Sequence, residues 1–268
     1  MIKHLKSAVL VSVLSIVSSP LFALDYLYEF SGGVNYWATG EASGQLGGFK
    51  LSNGTNGVNY HYSGSRLGLW ANAKSGLIIF PNIKMRYQDI AYSGTGEIVS
   101  VLNVEIGDID LSSLLGDVES TIDASYLDVI ASFTWPLDLF ELDMGLKARI
   151  HAVNYSIGEI GGVEQTESTW LPLAFLYVSA EKSFVQDNLS IVGEYSALPY
   201  KGVLFETVDA FVRYKLPVEQ YFPLDVRVQA GFQSFAFTLA SDSDFNLFTQ
   251  DDIKFGFESV VLGVTAAF

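Results

Sequence analysis

Long runs of two-residue alternation are the feature that most restricts how this chain can fold. The clearest run is "ELDMGLKARIHAVNYS", which begins at Glu141. Its apolar positions are Leu142, Met144, Leu146, Ala148, Ile150 and Ala152. The alternate positions, from Glu141 to His151, carry acidic or basic residues or glycine. A β-strand sends alternate side chains to opposite faces, so this run is predicted to be a strand with one apolar and one charged face.

Similar runs recur along the chain and predict about ten strands. Their approximate bounds are 28–39, 58–74, 83–94, 119–135, 141–156, 168–182, 189–199, 204–216, 224–238 and 253–268. A tilted strand needs about 9–11 residues to cross a bilayer, whereas strands of soluble proteins usually have about 5–6. The lengths therefore favour strands that span a membrane.

The composition supports a membrane protein without membrane helices. Hydrophobic residues form 49% of the chain, charged residues only 17%, and the mean hydropathy is +0.29. After the first residues, no apolar run approaches the ~20 residues of a spanning helix. Because a bilayer admits only helices and closed barrels, we predict an all-β fold. The expected architecture is a transmembrane antiparallel up-and-down β-barrel of about ten strands, with eight or twelve also compatible, and a lipocalin-like periplasmic barrel is the competing interpretation.

The N-terminal segment has the layout of a secretory signal peptide. Lys3 and Lys6 precede an apolar stretch from Ala8 to Val17, which Pro20 and Ala23 follow. We therefore expect residues 1–23 to be a signal peptide for export through the Sec pathway. Residues 24–268 would then form the barrel in the outer membrane of a Gram-negative bacterium.

Proline-marked connections suggest the orientation of the barrel. Pro136, Pro217 and Pro223 lie in compact connections, where proline stops strand pairing because it lacks the N–H donor. If the N-terminus begins in the periplasm, these connections face the periplasm. The connections near 40–57, 98–118, 158–167 and 239–251, which are mostly longer and acidic, are then expected outside the cell.

The last strand ends on alternating apolar residues and a terminal aromatic residue. Val264, Ala266 and Phe268 share one face, and the ring of Phe268 is expected in an aromatic girdle. This ending resembles the signal by which the outer-membrane assembly machinery recognises its substrates. The partners expected from it are that machinery, periplasmic chaperones, outer-membrane lipids and lipopolysaccharide.

Three stretches carry a wider resemblance. With "GGVNYWATG", "FPNIKMRYQDI" and "GVTAAF", the chain resembles a family of Gram-negative outer-membrane β-barrels associated with GlyGly-CTERM sorting systems. The resemblance implies location and fold, and it supplies neither an activity nor catalytic residues.

The charged faces of several strands predict a network inside the barrel. The expected members are Lys84, Arg86, Asp143, Lys147, Arg149, His151, Asp209, Arg213, Lys215 and Arg227, with Glu29 and Asp225 as further inward acids. Charges of both signs in a narrow lumen should pair, because an unpaired desolvated charge is costly. Substitutions at the inward Gly145 and His151 are expected to matter less than an arginine on the apolar face.

Enzyme and cofactor chemistry find little support in the sequence. The chain has no cysteine for thiol chemistry or metal ligation, and no cofactor is expected. Its net charge of −15 becomes −17 without residues 1–23, so no nucleic-acid partner is expected. His61 and Ser63 form a His-x-Ser motif without an identifiable orienting residue. Asp242, Asp244 and Asn246 are spaced like calcium ligands, but Leu247 and Ile253 stand where a calcium loop has glycine and glutamate.

Two classes of function stay open from the sequence. One is a narrow pore or transporter for small or hydrophobic molecules. The other is a plugged barrel with a structural or surface-interaction role. A hydrolase acting on lipids through His61 and Ser63 is a remote third interpretation.

Overall fold

A computed structural model describes most of the predicted barrel. The described residues are 27–39, 42–46, 49–50, 57–99, 105–106, 109–110, 114–184, 188–198, 203–218, 224–239 and 253–267. The predicted signal peptide, Phe268 and the Asp242, Asp244 and Asn246 group lie outside these residues. Within the described ranges, no helix is long and apolar enough to cross a membrane.

Those ranges contain sixteen β segments. Their bounds are β1 Tyr28–Thr39, β2 Ser43–Leu46, β3 Phe49–Lys50, β4 Gly57–Tyr62, β5 Leu67–Ser75, β6 Asn82–Gln88, β7 Ala91–Ile98, β8 Glu105–Ile106, β9 Ile109–Asp110, β10 Gly116–Pro136, β11 Glu141–Glu159, β12 Glu164–Phe184, β13 Leu189–Ala197, β14 Val203–Lys215, β15 Asp225–Leu239 and β16 Ile253–Ala267.

The segments assemble into ten barrel strands. Three barrel strands consist of two segments each, namely β1 with β2, β4 with β5, and β6 with β7; β10 to β16 supply the other seven. Each barrel strand pairs antiparallel with its neighbours, and β1 pairs with β16 from Ser31↔Ala267 to Thr39↔Ser259, which closes the sheet. The predicted closed antiparallel barrel of ten strands is therefore confirmed.

The outer surface of the barrel is an apolar belt. Alternate residues point outward on neighbouring strands, and large apolar side chains at these positions are exposed: Val34, Tyr36, Leu67, Ile83, Val129, Phe133, Met144, Leu146, Ile150, Leu176, Ile191, Val208, Val212, Val228, Phe232, Val260, Leu262 and Val264. So large a continuous apolar surface is not stable in water, and it matches the hydrocarbon of a bilayer.

The two ends of the barrel differ. We call the end where β1 begins and β16 finishes the terminal end, and the opposite end the loop end. At the loop end, β11 ends at Glu159 and β12 begins at Glu164, so both strands extend several residues beyond their predicted bounds. A short turn joins them. The acidic residues of this hairpin are compatible with a strand because they lie beyond the apolar belt.

A bulge separates β4 from β5. Tyr62 pairs with Tyr92 and Gly68 with Gln88, so five residues of this barrel strand, 63–67, face three residues of its neighbour, 89–91. Arg66 within the bulge has a left-handed backbone with a φ of 58°. A bulge bends its strand and strengthens the local twist.

Candidate functional site

The interior of the barrel has three layers between its two ends. An open cavity lies at the terminal end, a layer of buried charges and amides fills the middle, and aromatic side chains fill the loop end. All three are built by the inward positions of the alternating strands.

Arg149 and Asp128 form the most buried ion pair of the middle layer. Both side chains are 0% exposed. Arg149 donates from Nε to Asp128 Oδ1 at 2.6 Å and from Nη2 to Asp128 Oδ2 at 2.8 Å. The guanidinium also lies 3.7 Å from the ring centroid of Tyr126. A bidentate pair stacked on an aromatic ring compensates well for lost hydration, so Arg149 is fixed in place.

Arg86 reaches across the lumen. It donates from Nη1 to Asp209 Oδ2 at 2.7 Å and from Nη2 to Glu194 Oε2 at 2.5 Å. Lys84 donates to the other oxygen of Glu194. Since β6 and β14 are five strands apart around a ring of ten, the Arg86–Asp209 pair joins opposite walls. Side chains of the middle layer therefore occupy the whole cross-section.

Amides, hydroxyls, an imidazole and Lys147 complete the middle layer. Tyr126 donates to Gln88, and Gln88 donates to Gln233 at 3.3 Å. Lys147 donates to the Ser196 hydroxyl. The ring of His151 lies 5.3 Å from that of Tyr126 and 5.6 Å from that of Phe205. His151 thus lies where the charged layer meets the aromatic one.

Aromatic rings fill the lumen toward the loop end. The rings of Phe205 and Phe235 are 4.8 Å apart, and those of Phe235 and Phe257 are 4.9 Å apart. Tyr60, at the loop end, donates to the Ser120 hydroxyl at 2.6 Å. The result is an apolar core inside the barrel, where an open channel would have water.

The cavity at the terminal end has a volume of about 570 Å3. Carboxylates, cations, hydroxyls and the aromatic residues Trp70 and Tyr177 line it. Its inner end is the middle layer, since Lys84 and Glu194 line the cavity and belong to that layer. The cavity is therefore closed toward the loop end.

The remaining predicted charged residues lie around the cavity mouth. Arg227 donates from Nη2 to Asp225 Oδ2 at 2.9 Å, and Lys215 Nζ lies 3.3 Å from the same oxygen. Arg213 donates from Nη1 to Glu181 Oε2 at 3.3 Å. These groups are partly exposed, so their pairs are weaker than those of the middle layer.

Asp143 differs from the other inward acids. It accepts hydrogen bonds from Thr134 at 2.6 Å and from Asn82 at 3.4 Å. Both partners are neutral.

The sequence analysis missed three acid partners of the lumen, namely Asp128, Glu181 and Glu194. All three occupy inward positions of alternating strands, so extending the alternation to β10, β12 and β13 could have found them.

Gly145 has little space for a side chain. A Cβ atom at this position would lie 2.0 Å from the backbone oxygen of Ala131. The backbone cannot give way as a flexible side chain would. This contact counts against the expectation that substitution of Gly145 matters less than an arginine on the apolar face, because the neighbouring strand, and not the lumen, limits the space.

His61 and Ser63 lie at the junction of β4 and the bulge. His61 lies opposite Ser93 in the β4–β7 pair, and Ser63 lies in the bulge, where its amide donates to the backbone oxygen of Ala91. Among the residues that the structure describes, no group of three or more histidines and acids could hold a metal ion.

Comparisons with known proteins give only a weak structural similarity. No family model matches the sequence, and no curated protein matches it. Among solved structures, the chain is similar to Ail, the attachment invasion locus protein of Yersinia pestis, solved in complex with the heparin analogue sucrose octasulfate. The identity is 13% and the TM-score 0.34, over 90% of this chain and 99% of that one. Similarity at this level does not bear on function.

Proposed function

We propose that the protein is an integral outer-membrane β-barrel with a closed lumen and a structural or surface-interaction role. The ion pair between Arg86 and Asp209 carries the proposal, because it joins opposite walls of a ten-stranded barrel. The aromatic core at the loop end is a second barrier in series. Small barrels are filled by their own side chains, whereas open channels need many more strands.

The location rests on the apolar belt together with the sequence. The belt suits a lipid environment, and barrels of this kind occur in outer membranes. The signal-like residues 1–23 favour export through the Sec pathway. We infer that the terminal end faces the periplasm and that the loop end, with the β11–β12 hairpin, faces outward.

Planar bilayer recordings test the closed lumen. Purified protein inserted into bilayers should give no discrete conductance steps above the lipid baseline. Insertion is verified by heat-modifiable mobility on unboiled gels of the recovered protein. Stable steps of large conductance would overturn the proposal and favour the pore interpretation.

Protease shaving of whole cells tests the orientation of the barrel. The β11–β12 hairpin should be the part that the protease reaches.

A further inference from the structure

We propose that the terminal-end cavity binds a small linear organic polycation, a molecule with two or more ammonium groups, supplied from the periplasm. The periplasmic source rests on the orientation proposed above. Binding itself depends only on the cavity. At about 570 Å3 the cavity has the size of small-molecule sites.

The charge of the lining favours a cation. Six carboxylates and four cationic side chains line the cavity: Glu29, Glu141, Asp143, Glu181, Glu194 and Asp225, against Lys74, Lys84, Arg213 and Arg227. Each of the four cations already pairs with a carboxylate of this set. In the described part of the chain, Glu29 and Asp143 have no such partner. Among the residues that line the cavity, the carboxylates therefore outnumber the cations by two, and Glu29 and Asp143 are the two without an ion pair.

The position of these two carboxylates favours more than one charge on the ligand. Glu29 lies on β1 and Asp143 on β11, four strands apart in a ring of ten. They therefore lie on well-separated walls of the cavity. A single small cation could approach only one of them, whereas a linear polyamine places separate ammonium groups near both.

Two hydroxyls of the lining provide further acceptors. Ser132 and Thr265 line the cavity and are only 5% and 7% exposed, and their side-chain hydroxyls make no hydrogen bond within the described ranges. Each can accept from an ammonium N–H. Trp70 and Tyr177 add aromatic surface for the alkyl chain and for cation–π contacts.

The closed inner end makes this a binding site with one entrance. Lys84 and Glu194 at that end are joined by a charged hydrogen bond. A ligand that enters from the terminal end must leave by the same route. The site therefore suits capture or sensing of a ligand, and does not require transport.

Isothermal titration with spermidine tests the inference on the folded protein in detergent micelles. We expect one spermidine per barrel, with affinity that falls as salt rises. Glu29→Gln with Asp143→Asn should weaken binding at least tenfold. The matched control, Asp117→Asn with Glu119→Gln, removes the same charge from exposed positions at the loop end and should leave the affinity unchanged. Equal weakening in both variants, or no saturable binding by the folded protein, would overturn the proposal.

A second measurement locates the ligand without removing a charge. The chain has no cysteine, so Ser183→Cys introduces a single thiol at the cavity lining. Spermidine should slow its labelling by a cationic thiol reagent at least threefold, and should not affect Ser63→Cys in the bulge. Labelling of Ser183→Cys at the same rate with and without spermidine would contradict binding in the cavity. These outcomes do not depend on conductance, so failure here is distinct from failure of the closed-lumen proposal.

Discussion

Asp128 and Arg149 illustrate what single residues of this sequence do and do not predict. Alternation on one strand identifies Arg149 as inward, because a strand has only two faces. It does not identify Asp128 as the partner, since that depends on the register between β10 and β11, where the two residues pair directly. The Arg86–Asp209 contact is harder still to predict, because it follows from the size of the closed barrel.

The Asp128–Arg149 pair yields a prediction for stability. Asp128→Ala should lower the free energy of unfolding by about 3–5 kcal/mol, because it leaves a fully buried guanidinium without its carboxylate. Urea titration in lipid vesicles measures the change. Asp225→Ala at the partly exposed mouth is the control and should cost about 1 kcal/mol or less. Similar costs for the two variants would show that the middle layer does not behave as buried.

At the scale of elements, the faces of the strands follow from the sequence more reliably than their ends. On β11 the predicted outward Met144, Leu146 and Ile150 are exposed, and Lys147 and Arg149 are buried. The extension of β11 and β12 at the loop end was not predicted, because acidic residues resemble a loop in sequence although they tolerate a strand outside the belt. The bulge at 63–67 also leaves no clear signal, since its two extra residues preserve the alternation.

Leu146 provides the test of register on β11. Leu146→Arg should lower the free energy of unfolding by about 2–4 kcal/mol, because Leu146 is 63% exposed on the apolar belt and an arginine there faces lipid. Thr166→Arg, outward on β12 beyond the belt, should change stability by less than about 1 kcal/mol. Urea titrations in vesicles compare the two variants. The reverse order would mean that the strand is shifted by one residue, which exchanges its two faces.

For the whole molecule, the two barriers in the lumen act in series. Arg86→Ser with Arg149→Ser opens only the middle layer, and Phe205→Ala with Phe235→Ala opens only the aromatic one, so neither pair alone should give conductance. All four substitutions together should give discrete steps in planar bilayers. The steps should be cation-selective, because Asp128, Glu194 and Asp209 then lack their arginine partners. Conductance from the aromatic pair alone would show that the charged layer does not seal the lumen.

Closure of the barrel depends on its last strand, which belongs to the same scale. Val264 pairs with Val34 of β1 on one side and with Val228 of β15 on the other, so three valines lie side by side on the belt where the sheet closes. Val264→Asp should therefore reduce the yield of folded, heat-modifiable protein severalfold, because a carboxylate would face lipid at the closing strand. Deletion of Phe268 is expected to act in the same direction, through loss of the terminal aromatic residue that the assembly machinery is predicted to recognise. Thr265→Ser, which is inward on the same strand, should leave the yield unchanged. Folded-band yields of Val264→Asp and of the Phe268 deletion equal to that of Thr265→Ser would mean that insertion does not depend on the apolar face of β16.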